Sequence, residues 1–201
     1  MAGRLRAYAG RRDVVVLALP RGGIPVGYEV AKALGVPLDV FLVRKLGVPG
    51  QQELAMGAIA SGGIEVLNEG IVDSLSVPRS MLDRVIREQR QELGRREALY
   101  RGRRPPVEVR GLTVILIDDG LATGATMRAA VAALRQKGPQ KLVVAVPTAA
   151  PETCGVLREE VDELVCLEQP EPFYAVGVWY KDFSQTTDEE VLALLDRVKR
   201  P

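Results

Sequence analysis

Short runs of consecutive apolar residues recur along this chain, and each leads through a glycine- or proline-containing turn into a segment with helical spacing. The runs fall at residues 14–19, 38–43, 112–117, 141–146 and 161–167. They are broken by at most two polar residues, do not alternate regularly, and are rich in Val, Ile and Leu, which is the pattern of strands covered on both faces of a parallel sheet. Between them, Val26, Val30, Ala33 and Leu34 share one helical face, as do Met127, Ala130, Val131 and Leu134. Pro25 suits the first turn of the former helix, and Gly35 with Pro37 stops it. Residues 14–43 therefore read as a βαβ unit with a parallel pair. Residues 126–137, closed by Gly138-Pro139, and residues 151–160 read as two further helices. Alternation at this pitch predicts an α/β fold with a doubly wound parallel sheet.

Other stretches break the alternation. Residues 4–13 are basic and weakly patterned, an exposed lead-in. Residues 44–53 form a Gly/Pro/Gln segment, and residues 55–60 and 64–67 around Ser61-Gly62-Gly63 read as a hairpin. The hairpin suggests a mobile flap over residues 44–67 that closes on bound ligand. Residues 78–100 form the longest helix, with Met81, Val85, Ile86, Leu93 and Leu99 as a sparse apolar set. Its interleaved Arg and Glu read as a solvated face. A linker at 101–106 precedes the next strand. Residues 168–172 form a proline-kinked connector, and residues 173–183 hold most of the chain's aromatic residues. Thr187 and Glu190 make a capping box for a last helix over 187–199, whose apolar face of Val191, Leu194, Leu195 and Val198 should dock on the sheet. The whole of residues 1–201 reads as one domain, with a core at about 12–167 and a small hood at about 168–184.

Composition narrows the chemistry. The net charge of +1 gives no support for a general nucleic-acid or membrane-surface role. No apolar run approaches the ~18 residues that would span a bilayer, and no signal-peptide core is visible, so a soluble cytoplasmic protein is expected. Two cysteines, Cys154 and Cys166, make neither a disulfide framework nor a metal site. The absence of histidine excludes Ser-His-Asp and Cys-His catalysis. Chemistry must run on carboxylates, Lys and Arg, backbone amides and a cation brought by the substrate.

One stretch concentrates that chemistry. An apolar strand runs into Asp118-Asp119 and then a loop of small residues, Ala122-Thr123-Gly124-Ala125-Thr126, that feeds a helix. Such a loop aims backbone N–H groups and a positive helix end at an anion, usually phosphate. The two aspartates would repel that phosphate and suit hydroxyl groups or a hydrated cation beside it. A phosphorylated ribose fits both halves. A second strand-to-helix turn, Arg21-Gly22-Gly23, adds a permanent positive charge and two glycines that let backbone amides approach a ligand. Arg44 and Lys45 stand at the root of the flap, and Phe173, Tyr174, Val176 and Trp179 offer a platform for a planar group.

Residues 114–126 resemble the PRPP-binding signature of type I phosphoribosyltransferases, and the pyrophosphate loop, flexible loop and hood of that family follow in its order. The resemblance implies transfer of a 5-phosphoribosyl group from PRPP to a small-molecule acceptor, with a purine-like base favoured, pyrophosphate leaving and Mg²⁺ required. On that reading Asp118 and Asp119 hold the ribose hydroxyls, and Ala122, Thr123, Gly124, Ala125 and Thr126 anchor the 5-phosphate. Arg21, Gly22, Gly23, Arg44 and Lys45 take the pyrophosphate, and Phe173, Tyr174, Val176 and Trp179 contact the acceptor. Mg²⁺ would be held mainly by PRPP, with no direct protein metal site. The resemblance further implies a homodimer and a non-proline cis or strained peptide near Pro20-Arg21. Two rivals stand beside it: a non-catalytic PRPP-sensing regulator on the same fold, and an unrelated phosphate-ester binder. No Gly-x-x-x-x-Gly-Lys or Gly-x-Gly-x-x-Gly follows a strand, which counts against the second.

Overall fold

Five parallel strands form the central sheet in a computed structural model that describes residues 1–102 and 104–198, apart from the side chains of Gln52 and Glu53. The strands are β1 (Val14–Ala18), β2 (Leu38–Val40), β6 (Thr113–Ile117), β7 (Lys141–Thr148) and β8 (Glu163–Glu168), and they lie in the order β2-β1-β6-β7-β8. The apolar runs are continuous because each strand feeds two cores. In β1, Val14, Val16 and Ala18 face one side while Val15 and Leu17 face the other. β6 and β7 alternate the same way: Ile115, Ile117, Val143 and Ala145 on the first side, Val114, Leu116, Leu142 and Val144 on the second. Each fully buried branched side chain contributes about 2 kcal/mol, so burial on both sides of the sheet dominates the stability.

The first core is covered by α1 (Gly23–Leu34), α3 (Arg79–Arg101) and α6 (Asp188–Asp196), and the second by α4 (Ala125–Gln136) and α5 (Pro151–Glu160). This is the doubly wound arrangement. α1 ends at Gly35, whose φ of 67° is left-handed and suits a residue without a Cβ. Its buried face is rotated from the expected one: Ile24, Gly27, Val30, Ala31 and Leu34 pack inward, while Ala33 is exposed and Val26 is only partly covered. α3 differs similarly. Leu82, Val85, Ile86, Leu93 and Tyr100 are buried, whereas Met81 is half-buried and Leu99 exposed.

The insertion is larger than a hairpin. β3 (Val43–Val48), β4 (Gln51–Ala60) and β5 (Ile64–Leu67) form a separate antiparallel sheet, so the segment taken for a Gly/Pro/Gln loop is largely strand. Leu46 and Val48 of β3 are buried, which gives that strand an apolar face the flanking cations hid. The short helix α2 (Glu69–Ser74) follows, capped by Asn68, whose side chain accepts from the Ile71 amide.

The lead-in is mostly exposed, as expected, but it is anchored by two buried side chains. Residues Ala2–Tyr8 form a 3₁₀ helix with Leu5 and Tyr8 buried. The Tyr8 hydroxyl donates to Glu163 at 2.5 Å, and Lys141 Nζ donates to the Tyr8 oxygen at 2.7 Å. The capping box at Thr187 and Glu190 forms as read. The last helix ends at Asp196 and packs on α1 and α3, with Val191 and Leu195 buried; residue 199 of its expected span lies outside the described residues.

One buried charge ties the parts together. Arg101, at the end of α3, pairs with Asp39 of β2 at 3.0 Å, donates to Ser61 at 3.2 Å and also donates to the Val40 carbonyl. It therefore links the main sheet's edge to the hairpin sheet. Arg101→Ala leaves Asp39 without its charge partner and should cost about 3 kcal/mol or more, to be read from the midpoint of equilibrium urea unfolding.

Candidate active site

β1 and β6 are neighbours paired in register, with Ala18 opposite Ile117, so the turns that follow them leave the sheet side by side. From β1 the chain crosses to β2 through α1 on one face. From β6 it crosses to β7 through α4 on the other. Strand order thus reverses between β1 and β6, and that divergence opens a crevice beyond the carboxyl ends of the strands.

The two turns meet in van der Waals contact. A Cβ on Gly22 would run into the Asp119 carboxylate, and one on Gly23 would lie 2.8 Å from the Ile117 carbonyl oxygen and 2.9 Å from Asp118 Cα. Backbone proximity thus requires glycine at position 23, while a side chain at position 22 would have to displace the Asp119 carboxylate. The peptide between Pro20 and Arg21 is cis, where the family resemblance implies such a bond. The Leu19 amide donates to the Ile117 carbonyl at 2.9 Å and closes the base of the crevice.

On the α4 side, the small-residue loop forms a cavity of about 220 Å³ bounded by Asp118, by residues 120–127 and by Val176. Ala122, Thr123, Gly124, Ala125 and Thr126 all line it. Gly124 has a φ of 68° and immediately precedes α4; a Cβ there would lie 2.5 Å from the Thr153 methyl. The Thr153 hydroxyl donates to the Ala122 carbonyl at 2.5 Å, so α5 holds the loop from outside. Gly120 has its own reason: a Cβ would meet Val176 at 2.6 Å and the Thr148 carbonyl at 3.0 Å. The missing side chain lets the hood descend onto the loop.

The acids are crowded. Asp118 is enclosed by protein although a part of it still reaches solvent; burial and then the Asp119 charge push its carboxyl up to about 8, against the opposing effect of the Asp119 amide, which donates to it at 2.9 Å. Burial also raises Asp119. Beyond Asp119 a second cavity of about 550 Å³ is walled by Arg21, Gly22, Val26, Tyr180 and Phe183. Arg21 reaches it with its guanidinium 4.0 Å from Asp188, at the start of α6. Asp188 in turn accepts from the Tyr100 hydroxyl at 2.5 Å.

Tyr180, Phe183 and Asp188 are contributions that sequence reasoning missed. The Tyr180 hydroxyl donates to the Asp119 carbonyl at 2.6 Å and straps the hood to the acidic turn. Burial and the charges of Asp119 and Asp118 push its phenol up to about 12, so it remains a donor. Its ring packs on Phe183, with centroids 5.1 Å apart. The concentration of aromatics in this tail was the visible signal, but not which member turns inward. Of the four hood residues read as acceptor contacts, Val176 lines the crevice. Phe173 is half-buried elsewhere, and Tyr174 and Trp179 are exposed. Arg44 and Lys45 are likewise not brought to the crevice: they line a different cavity, between β3 and α3. No group of three or more Cys, Asp or Glu able to hold a metal occurs among the described residues, and no described helix is long and apolar enough to cross a membrane.

Comparison with known proteins agrees with this geometry. The model of the phosphoribosyl transferase domain matches residues 50–181. A Mycobacterium tuberculosis protein named "Putative phosphoribosyl transferase Rv0571c" is 46% identical over 200 residues, 100% of this chain and 45% of that protein. The chain thus spans a little under half the length of the curated relatives it matches. The crystal structure of TT1426 from Thermus thermophilus superposes with a TM-score of 0.85 at 46% identity, covering 96% of this chain and 94% of that one. This chain belongs to the phosphoribosyl transferase domain family.

Two outcomes follow from the crowding. The Asp118 carboxyl, raised from 3.8 to about 8, keeps its proton in the folded chain over a range where the unfolded chain has lost it. Its contribution is fully present below the unfolded value and is lost as pH rises through the window between the two, so stability falls with pH there. Asp118→Asn should remove that slope and raise Tm at pH 8, relative to pH 4, by on the order of 5 °C, read by thermal scans at both pH values. Gly23→Ala places a methyl against backbone and should cost about 2 kcal/mol, read by urea unfolding.

Proposed function

We propose that this chain transfers the 5-phosphoribosyl group of PRPP to a small-molecule acceptor, a purine-like base being favoured, with release of pyrophosphate. The observation that carries the reading is the contact of the Gly22-Gly23 turn with Asp118-Asp119. It sets an anion cradle and an arginine-bearing cavity on opposite sides of one pair of carboxylates. A ligand with a terminal phosphate, a diol and a second phosphate group at the far end matches that order.

On this reading the amides and hydroxyls of residues 122–126, at the start of α4, receive the 5-phosphate. Asp118 and Asp119 accept from the ribose hydroxyls. Arg21 and the backbone of Gly22 and Gly23 receive the pyrophosphate. Displacement at the anomeric carbon builds positive charge on the ribose, and a carboxylate pair in a shielded crevice stabilises that charge strongly. Such a reaction depends on positioning and leaving-group stabilisation, which suits a chain without histidine. Neutral ribose hydroxyls and a nearby cation favour the ionised form of Asp118, so binding should release its proton. Asp119, the less enclosed of the two, is the group assigned to any proton taken from the acceptor.

The acidic pair supplies hard oxygens of the kind Mg²⁺ prefers, and two carboxylates fit an ion that keeps most of its ligands from water and phosphate. Asp118 and Asp119 would be its protein neighbours. When bound, the ion would neutralise charge on the departing pyrophosphate. Val176 bounds the acceptor's space, and Tyr180 fixes the hood that carries it. A homodimer and a cytoplasmic setting belong to the same proposal.

The test is turnover. With PRPP and Mg²⁺, pyrophosphate release is followed over a panel of purine, pyrimidine and other amine acceptors. Release with at least one acceptor is expected, falling about 100-fold or more in the Asp118→Asn, Asp119→Asn variant. PRPP binding without release on any acceptor would favour the sensing regulator. Unchanged PRPP affinity in the double variant would remove the site assignment.

A further inference from the structure

α5 does more than cover the sheet, because its first turn reaches the small-residue loop. Three hydrogen bonds join residues 148–153 to that loop. The Leu121 amide donates to the Thr148 carbonyl at 3.0 Å, and the Ala150 amide donates to the Leu121 carbonyl at 2.9 Å. The third runs from the Thr153 hydroxyl to the Ala122 carbonyl at 2.5 Å. The first two are main-chain bonds that other side chains would leave in place. The third needs the side chain of Thr153, which is buried. Its methyl lies beside Gly124, in the space that a Cβ on that residue would take.

These bonds fix the directions of two peptide groups. A trans peptide holds its C=O and N–H on opposite sides, and Leu121-Ala122 and Ala122-Thr123 are both trans. With the Leu121 and Ala122 carbonyls turned to residues 150 and 153, the Ala122 and Thr123 amides are turned away from them. None of residues 148–153 lines the cavity of the loop, so those amides are turned to its open side. Among the described residues neither amide has an acceptor, which leaves both to a ligand or to solvent. Ala122 lies in a bend, with no ladder or helix to hold its carbonyl. Loss of the Thr153 bond therefore frees the Ala122-Thr123 peptide to rotate. A flipped peptide sets a carbonyl dipole where an amide dipole stood, and for an anion that change converts attraction into repulsion.

We infer that Thr153 is a positioning residue for the phosphate loop: its hydroxyl holds the Ala122-Thr123 peptide in the orientation that offers the Thr123 amide to the 5-phosphate. This role rests on the proposed reading of residues 122–126 as the 5-phosphate anchor. It adds to that reading a side chain that lines neither cavity of the crevice. Threonine suits the position because its hydroxyl and its methyl have separate partners, Ala122 and Gly124. Serine keeps the first partner and alanine keeps neither. The bond acts on the 5-phosphate end alone, so its loss weakens binding of the donor and leaves the surroundings of the anomeric carbon in place. In turnover, KM for PRPP rises while kcat changes little.

Isothermal titration of the full chain with ribose 5-phosphate, and with PRPP and Mg²⁺, tests this role in the parent, Thr153→Ser and Thr153→Ala. The two variants both lack the methyl and differ only in the hydroxyl. Thr153→Ser should bind ribose 5-phosphate within about twofold of the parent, and Thr153→Ala about tenfold or more weaker. PRPP should lose the same factor, because the 5-phosphate is the group both ligands place against the loop. Thr153→Val, which refills the space of the methyl without the hydroxyl, should show the same loss and serves if Thr153→Ala folds poorly. Equal affinity of Thr153→Ala and Thr153→Ser for ribose 5-phosphate overturns the role while the PRPP reading stands. A loss for PRPP well beyond that for ribose 5-phosphate also overturns it, since the effect then reaches past the loop. Binding of neither ligand by the parent overturns the PRPP reading, and the role falls with it.

Discussion

The close approach of two turns governs this structure. Gly22 and Gly23 lie so near Asp118 and Asp119 that no side chain fits between them. That approach is possible only because β1 and β6 are adjacent, parallel and in register, and because their crossover helices depart to opposite faces of the sheet. Both cores serve the same end. They hold the two strands rigid, so the turns above them have a defined separation and the crevice does not depend on induced order for its base.

Electrostatics then give the crevice its character. Two carboxylates share a partly enclosed space, and burial raises both. The crowding persists because the surrounding packing over-determines it: Tyr180 bonds to the Asp119 carbonyl, and Val176 sits on Gly120. Asp188 holds Arg21 to one side. In the unliganded crevice Asp118 escapes that crowding by keeping its proton, and a cation or a set of hydroxyl donors would favour its ionised form instead. Stability and binding are coupled through the same two residues.

The hairpin sheet shows a different balance. Its strand β3 buries Leu46 and Val48 and keeps Arg44 beside Gln89, so the apolar positions dock the strand while its polar positions stay nearer the surface. Arg101 fastens this unit to the main sheet through Asp39, Ser61 and Val40.

Local sequence alone was sufficient for the main sheet, for the helices that cover it and for the phosphate-type loop. Continuous apolar runs bounded by Gly and Pro carry their own length and burial, and a small-residue loop after a strand constrains its own backbone. The small-residue loop 122–126 and the Arg21-Gly22-Gly23 turn were legible for that reason, as was the capping box at Thr187. Features that depend on what lies opposite were not. The rotation of α1 toward Ile24 and Ala31, the strand character of residues 43–48, the burial of Leu5 and Tyr8, and the inward turn of Tyr180 instead of Tyr174 or Trp179 are each decided by a distant partner surface. So is the separation of Arg44 and Lys45 from Arg21. Residues in one stretch can be assigned a chemistry from their order, but only tertiary packing determines which stretches share a ligand.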